Sequence, residues 1–391
     1  VRRRRFAAAT AATAACLSLA LAAGGCGGHS RHARALPGVT VYTSLPSGGP
    51  YAGAAGAIFD GEQLALAQTG GVVKGFKIVL RRLDEGGSAA LTSTATAAGA
   101  SARIAAGDRS TIAYIGDLTP GSSSGSIPVL SQAGILQVSP GDTADGLVGG
   151  TFARVVPPDS NEASAQLAEM GKLGVTRLYL IKDRTTYGSD IAATALIDAP
   201  SYGIDIVDPA GKYLRADNRA LIRAIKKSKA QALLYAGSPS TSLPAFWNAL
   251  SVSDGTIRKF ASAAVAGEPS WSSTSAAARY GSYLSAPGLP RADLPRAGSQ
   301  FENDFMSTYG TRAQWTTGIF GYVAMSGVLE AMYKLGPMAK DRGKVADAFM
   351  RAKNLPSPLG TYSLTAGQTS FDRYFFTTYA RDGSVTTPGV D

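Results

Sequence analysis

The run Gly121-Ser122-Ser123-Ser124-Gly125 fits the G-x-S-x-G pattern in which a serine on a sharp turn acts as a hydrolytic nucleophile. Such a serine needs a base to take its proton, and in the usual triad that base is histidine. The only histidines are His29 and His32, in a short polar stretch ahead of the first strand, so Ser123 has none to activate it. The only cysteines, Cys16 and Cys26, also lie near the beginning of the chain. The folded part therefore lacks a thiol nucleophile, a disulfide framework and a Cys/His zinc centre. In a loop rich in serine and glycine the pattern arises easily by chance, and neither catalysis, nor a metal, nor a cofactor is expected. What remains is hydrogen-bond chemistry, offered by the loops DLTPGSSSGS and SPGDT at 117–126 and 139–143.

Those loops are positioned by strands and helices that read clearly. The stretch 112–115 is a short apolar strand stopped at Gly116, 127–133 reads as helix ended by Gly134, and 135–138 is a second buried strand. In an open α/β sheet, ligands sit beyond the carboxyl ends of the strands, where backbone N–H groups and helix N-termini are free. Both polar loops fall at such ends. Upstream, strands at 39–45 and 77–83 alternate with helices at 54–68 and 89–106, implying a parallel sheet wound by right-handed crossovers. After Pro157-Pro158 a second alternating set begins. It has helices at 162–173, 191–199 and 218–229 and strands at 177–182, 204–207, 232–235 and 260–264. The last part reads as helices at 301–309, 317–335 and 344–352, then a hairpin turning at Arg381-Asp382-Gly383.

Composition limits the class. With 391 residues, 45% hydrophobic and 17% charged, the chain describes two ordinary globular domains. The formal net charge of +10 includes Arg2 to Arg5. Elsewhere no cluster of basic and aromatic residues suggests nucleic-acid binding, because Arg223, Lys226, Lys227 and Lys229 suit a helix C-terminus. The segment 1–25 has the parts of an export signal: a basic start, an apolar stretch at 6–23 and small residues before Cys26. ALAAGGC at 20–26 resembles a bacterial lipoprotein signal, which implies that Cys26 is lipidated and becomes the first mature residue, with 26–37 as a tether. Ala23 stands where such signals usually carry Leu, so a plain secretory signal is the alternative. The start also resembles a twin-arginine signal, so the export route, Sec or twin-arginine, stays open.

Over 39–385 the chain resembles the extracellular solute-binding proteins of branched-chain amino-acid ABC transporters, the type I periplasmic-binding fold. The resemblance is carried by LPSGGPYAGAAGAIFDGEQLALAQTGG, GFKIVLRRLDE, AYIGDLTPGSSS, GILQVSP, LIKDRTTYGSD, FGYVAMSGVLEAM and RDGSV in that order. It implies an α/β protein of two lobes, each a mainly parallel sheet flanked by helices, with three hinge crossings near Val155, Leu284 and Thr369. Lobe 1 would hold 38–155 and 285–368, and lobe 2 would hold 156–284 and 369–391. A small polar solute, an amino acid or a related compound, would be captured as the lobes close and delivered to a membrane ABC permease by a lipid-anchored monomer. The implied location is the outer face of the cell membrane.

The resemblance also implies a site. Gly141 and Thr143 match the loop that holds a ligand carboxylate, and Ser122 and Ser123 lie where another carboxylate donor stands, with helix capping as their equal alternative. Tyr187 matches a cleft tyrosine of the second lobe, and Tyr51 falls at the cleft mouth or in surface packing. Glu268 is the one acidic residue in VAGEPSW that can accept a ligand ammonium. Asp142 is unusual in a carboxylate-holding loop: it pairs with a ligand amine, or it repels a carboxylate and signals a different solute. A further cleft tyrosine expected near Ser238 is absent unless Tyr235 replaces it, and Trp271 either stacks on a ligand or is a buried structural residue. A sensor of the same fold, signalling to a membrane receptor or kinase without transport, is the alternative function.

Overall fold

The computed structural model describes residues 36–86, 94–208, 212–215, 217–266, 269–310 and 314–386. The export signal, Cys26 and Glu268 lie outside the described residues. From residue 36 onward the chain is one compact unit containing two large sheets.

The first sheet has six strands in the order β2-β3-β1-β4-β5-β6. These are β1 (Gly38–Leu45), β2 (Val72–Val73), β3 (Phe76–Asp84), β4 (Thr111–Ile115), β5 (Leu136–Ser139) and β6 (Phe152–Arg154). All pairs are parallel except the short β2 against β3. Strand order reverses direction between β1 and β4, which makes a switch point where two crossovers leave to opposite faces. One face is covered by α1 (Ala52–Gln68), α11 (Trp315–Leu335) and α12 (Arg342–Met350), whose Val323, Val328 and Phe349 pack against Val41 and Ile115. The other face carries α2 (Thr94–Gly107) and α3 (Ser123–Gln132) over Tyr42 and Tyr114.

Glycine governs the contact between α1 and α11. A Cβ on Gly61 would stand 2.0 Å from the Gly318 carbonyl oxygen, and one on Gly321 would stand 2.0 Å from that of Ile58. Only bare backbone allows so close a crossing, which explains Gly318 and Gly321 near the start of an otherwise apolar helix. Among the described residues no helix is long and apolar enough to cross a membrane.

The second sheet has seven strands in the order β17-β16-β11-β10-β9-β7-β8. Its parallel part consists of β7 (Arg177–Lys182), β8 (Asp205–Ile206), β9 (Ala232–Ala236), β10 (Arg258–Ala261) and β11 (Ser282–Pro287). The antiparallel edge is the expected hairpin, β16 (Tyr374–Tyr379) and β17 (Val385–Thr386). The chain also carries α9 (Ala276–Arg279), α10 (Arg296–Tyr309) and two small hairpins, β12 (Leu355–Ser357) with β13 (Gly360–Tyr362) and β14 (Leu364–Thr365) with β15 (Gln368–Thr369). The second switch point lies between β7 and β9. One face is covered by α4 (Asp159–Lys172) and α5 (Thr186–Asp198), the other by α6 (Arg219–Ser228) and α7 (Leu243–Ser253).

Three element boundaries differ from expectation, each for a reason visible in the packing. The helix expected at 127–133 begins at Ser123, because a carboxylate from outside the helix holds its first N–H. The helix expected at 191–199 begins at Thr186, where the Thr185 hydroxyl accepts the Gly188 N–H, so Tyr187 stands in a first helical turn rather than a loop. The strand expected at 260–264 stops at Ala261, and the chain turns into the short helix α8 (Ala263–Ala266). Leu284 lies inside β11, paired with Ala261 and Thr377. Trp271 sits in the second core, edge-on to Trp247 at 5.8 Å and donating to the Tyr379 hydroxyl.

Candidate functional site

A cavity of about 290 Å³ lies between the strand ends of the two sheets, near the lower end of the range usual for small-molecule sites, roughly 300–1,000 Å³. Both switch points open onto it. Tyr51 follows β1 and Leu118 follows β4, while Tyr187 follows β7. Ile58, Val156 and Phe320 make much of the wall apolar, and Gln314, Thr316 and Thr317 reach it at the start of α11. The two sides touch across the cleft: the Tyr51 and Ser238 hydroxyls are 3.0 Å apart, and the Asp145 N–H donates to Asp190 at 3.1 Å.

On the first-sheet side the loop after β4 is held by acids. Glu85 accepts the Leu118 and Thr119 N–H groups at 2.7 and 2.8 Å. Asp142 accepts the Gly121 and Ser123 N–H groups, each at 2.7 Å. Asp117 accepts the Tyr114 hydroxyl at 2.7 Å and also bonds Ser126 and Gln137. All three carboxylates are fully buried. Burial pushes the Glu85 carboxyl up to about 8, reinforced by the charge of Asp117. Burial pushes Asp117 up to about 7 and Asp142 up to about 6, the latter opposed by the backbone bonds it accepts.

The expected site residues divide accordingly. Tyr51, Gly141, Thr143 and Tyr187 line the cavity. A Cβ on Gly141 would stand 2.2 Å from a terminal methyl of Leu118, so a larger residue there would displace that side chain. Ser122 and Ser123 are fully buried behind the wall: the Ser122 hydroxyl donates to the Thr119 carbonyl, and the Ser123 hydroxyl accepts the Asp117 N–H. Asp142 faces the start of α3 rather than the cavity. Tyr235 is also turned away, its hydroxyl donating to the Ser238 carbonyl at 2.8 Å.

On the second-sheet side the organising residue is Glu162, in the first turn of α4, which sequence reasoning passed over. It lines the cavity and accepts the Tyr187 hydroxyl at 2.7 Å and the Ala263 N–H at 2.7 Å, with Ser285 as a further donor. Its bond to Ala263 caps α8 and accounts for the early end of β10. Burial raises its pKa, opposed by Ser285 and Tyr187. One turn earlier, Asp159 is fully buried, and neither carboxylate oxygen has a hydrogen-bond partner among the described residues. Its N–H donates to the Thr143 carbonyl at 2.9 Å, which places it directly behind the cavity wall. Burial holds its carboxyl well above the ordinary value, opposed by the Thr143 side chain and reinforced by Glu162. Only an acidic first turn on α4 marked these two in the sequence, and that pattern ordinarily serves the helix dipole.

A search of curated protein sequences returns no match. Among solved structures, the fold is similar to that of a leucine-binding protein LivK from Thermotoga maritima, at 19% identity and a TM-score of 0.76, covering 90% of this chain and 98% of that one. It is also similar to the branched-chain amino-acid transporter substrate-binding protein LivJ from Streptococcus pneumoniae in complex with isoleucine, at 18% identity and a TM-score of 0.74, covering 90% and 99%. A solute-binding protein of R. palustris in complex with benzoate matches at 16% identity and a TM-score of 0.73, covering 90% and 96%. At these identities the likeness shows the two-sheet fold. The family profile described as periplasmic binding protein matches residues 39–384, and on that match the chain belongs to the periplasmic binding protein family.

Proposed function

We propose that this protein captures a small solute between two lobes outside the cell membrane and delivers it to an ABC permease, tethered by a lipid on Cys26. The observation that carries the reading is the cavity shared by both switch points and bridged by the Tyr51–Ser238 hydrogen bond. In this reading the lobes follow the sheets. The first takes 38–155 and the region of α11 and α12, and the second takes over from 156, keeps the chain through β11 and includes the terminal hairpin. Opening the cleft would break the Tyr51–Ser238 and Asp145–Asp190 contacts, and a solute touching both sides favours the closed form by the difference in its affinity for the two. Closure also excludes water, which strengthens each polar contact to the solute. Names of similar proteins support a small organic solute: one neighbour is described as leucine-binding, and two others hold isoleucine and benzoate.

The test is a thermal-shift screen of the full chain against amino acids, short amides, aromatic acids, amines and polyols. A solute at about a hundredfold excess over its Kd adds roughly 2.7 kcal/mol of stability. A hit accompanied by a smaller radius of gyration in solution scattering supports capture by closure, and silence across the panel counts against it. Binding without uptake by cells would favour sensing over transport. Cys26→Ser tests the anchor: the protein is expected to move from the membrane fraction to the medium.

A further inference from the structure

Resting on the capture reading, an account of the hydrogen-bond donors around the cavity narrows what can be captured. A carboxylate is held best where backbone N–H groups and a helix N-terminus converge. The nearest such place is the start of α3, just behind the wall formed by Leu118, Pro120 and Gly141, and there the chain supplies carboxylates of its own. The Gly121 and Ser123 N–H groups are spent on Asp142, and those of Leu118 and Thr119 on Glu85. An incoming carboxylate would find these donors taken and would stand beside a buried like charge.

The rest of the wall offers no compensation. Among the described residues no Lys or Arg lines the cavity. The buried guanidinium of Arg154 is committed to Gln368 Oε1 at 2.5 Å and to the Ala144 carbonyl at 2.7 Å. The charged groups that do face the solute are acidic: Glu162 on the wall and Asp159 behind Thr143, the latter close enough to raise the pKa values of Tyr51, Tyr187 and Tyr374 through its charge. The donors left on the first-sheet side, at Gln314, Thr316 and Thr317, are a neutral amide and neutral hydroxyls that suit an uncharged acceptor. Ile58, Leu118, Val156 and Phe320 surround the body of the solute with apolar surface.

We propose that Asp142 is the protein's built-in occupant of the carboxylate seat at α3, and that the solute of this cleft is a compact, largely apolar molecule carrying no carboxylate.

The experiment is titration calorimetry of the full chain with two matched sets, each sharing one body. The first set is isopentylamine, 3-methylbutanol, isovaleramide, isovalerate and leucine. The second is benzylamine, benzyl alcohol, benzamide, benzoate and phenylalanine. The expected result is that a carboxylate-free member binds about 100-fold more tightly than its matched carboxylate and amino acid, because those leave a charge unpaired beside Asp142. If isovalerate, leucine, benzoate or phenylalanine binds as tightly as its counterparts, the inference is overturned and capture still stands. If no member of either set binds, both fail.

Asp142→Ala clears the seat, and Asp142→Asn removes the charge while keeping the shape, so one serves if the other does not fold by circular dichroism. In a folded variant the carboxylates are expected to gain about tenfold in affinity while the carboxylate-free members hold theirs. Unchanged carboxylate affinity in a folded variant overturns the assignment of the seat.

Discussion

The two walls of the cleft use carboxylates in opposite ways. On the first-sheet side, Glu85, Asp117 and Asp142 each spend their oxygens on the loop that follows β4 or on groups around it, so the wall is finished before any solute arrives. On the second-sheet side, Glu162 is satisfied by Tyr187 and Ala263 yet still lines the cavity, and one turn before it Asp159 has no partner for either oxygen among the described residues. Buried polar groups are normally paired, so an unpaired carboxylate marks the less complete wall. A finished wall sets what is refused, and an unfinished one leaves chemistry for the ligand.

The largest effect is expected where the first wall is unpicked. Asp142→Ala leaves two buried N–H groups without a charged acceptor and is expected to cost about 3 kcal/mol, read from urea unfolding. A loss below about 1 kcal/mol would mean that the loop stands without its acid and that the walls do not differ in this way.

The pH profile sharpens the contrast further. Burial raises the pKa values of Glu85, Asp117 and Asp142, so from the ordinary carboxylate range upward, until these groups ionise, the folded protein holds more protons than the unfolded chain. The stability these groups contribute is fully present on the acid side and is lost as pH rises through those values. The second sheet carries the reverse case: Lys259 on β10 is 1% exposed, with burial lowering its pKa from 10.5 to about 8. Between there and about pH 10, where the tyrosines whose pKa burial raises begin to act in the opposite sense, the unfolded chain binds the extra proton, so stability rises with pH. Tm is therefore expected to pass through a minimum near pH 8. Lys259→Met should flatten the alkaline arm alone, and a profile that peaks at pH 8 would refute both assignments.

On the second wall, Tyr187→Phe removes one bond to Glu162 and is expected to cost about 1 kcal/mol, with Glu162 rising further in pKa. A shift in the carboxyl resonance of Glu162 on titration would report it. The smallest effect has the opposite sign. Asp159→Asn replaces a buried carboxyl whose pKa burial holds well above the ordinary value and should be neutral or stabilising by up to about 1 kcal/mol at pH 8, with the gain falling as acid protonates the native carboxyl. Destabilisation at pH 8 would show that Asp159 has a partner and that both walls are finished.

Much of this architecture was legible because its signals are local. Short apolar runs ended by glycine gave the strands, and the alternation of strand and helix gave two parallel sheets. The loops at 117–126 and 139–143 could be placed at strand ends from period and punctuation alone. Element boundaries failed where a distant group intervened. The start of α3 moved to Ser123 under a carboxylate nineteen residues away, and β10 stopped at Ala261 where Glu162, a hundred residues earlier, caps the next turn. Tyr51, Gly141, Thr143 and Tyr187 could be named because the family resemblance carries over onto loops that follow well-read strands. Glu162 and Asp159 could not, since an acidic first turn looks the same whether it serves a helix dipole or a cleft.

The sequence alone determined the class of fold, the two sheets and the loops from which a site had to be built, because these follow from the spacing of apolar residues and the turn chemistry between them. It also left the described residues without histidine or cysteine, and so without an imidazole base or a thiol nucleophile among them. Only the tertiary structure decided how the acids divide. Whether a carboxylate meets a backbone N–H, a tyrosine hydroxyl or nothing depends on groups brought together from up to 123 residues apart, as Ser285 is brought to Glu162. Hydrogen bonds act over about 3 Å, and no pattern along the chain encodes which distant donor arrives within that distance.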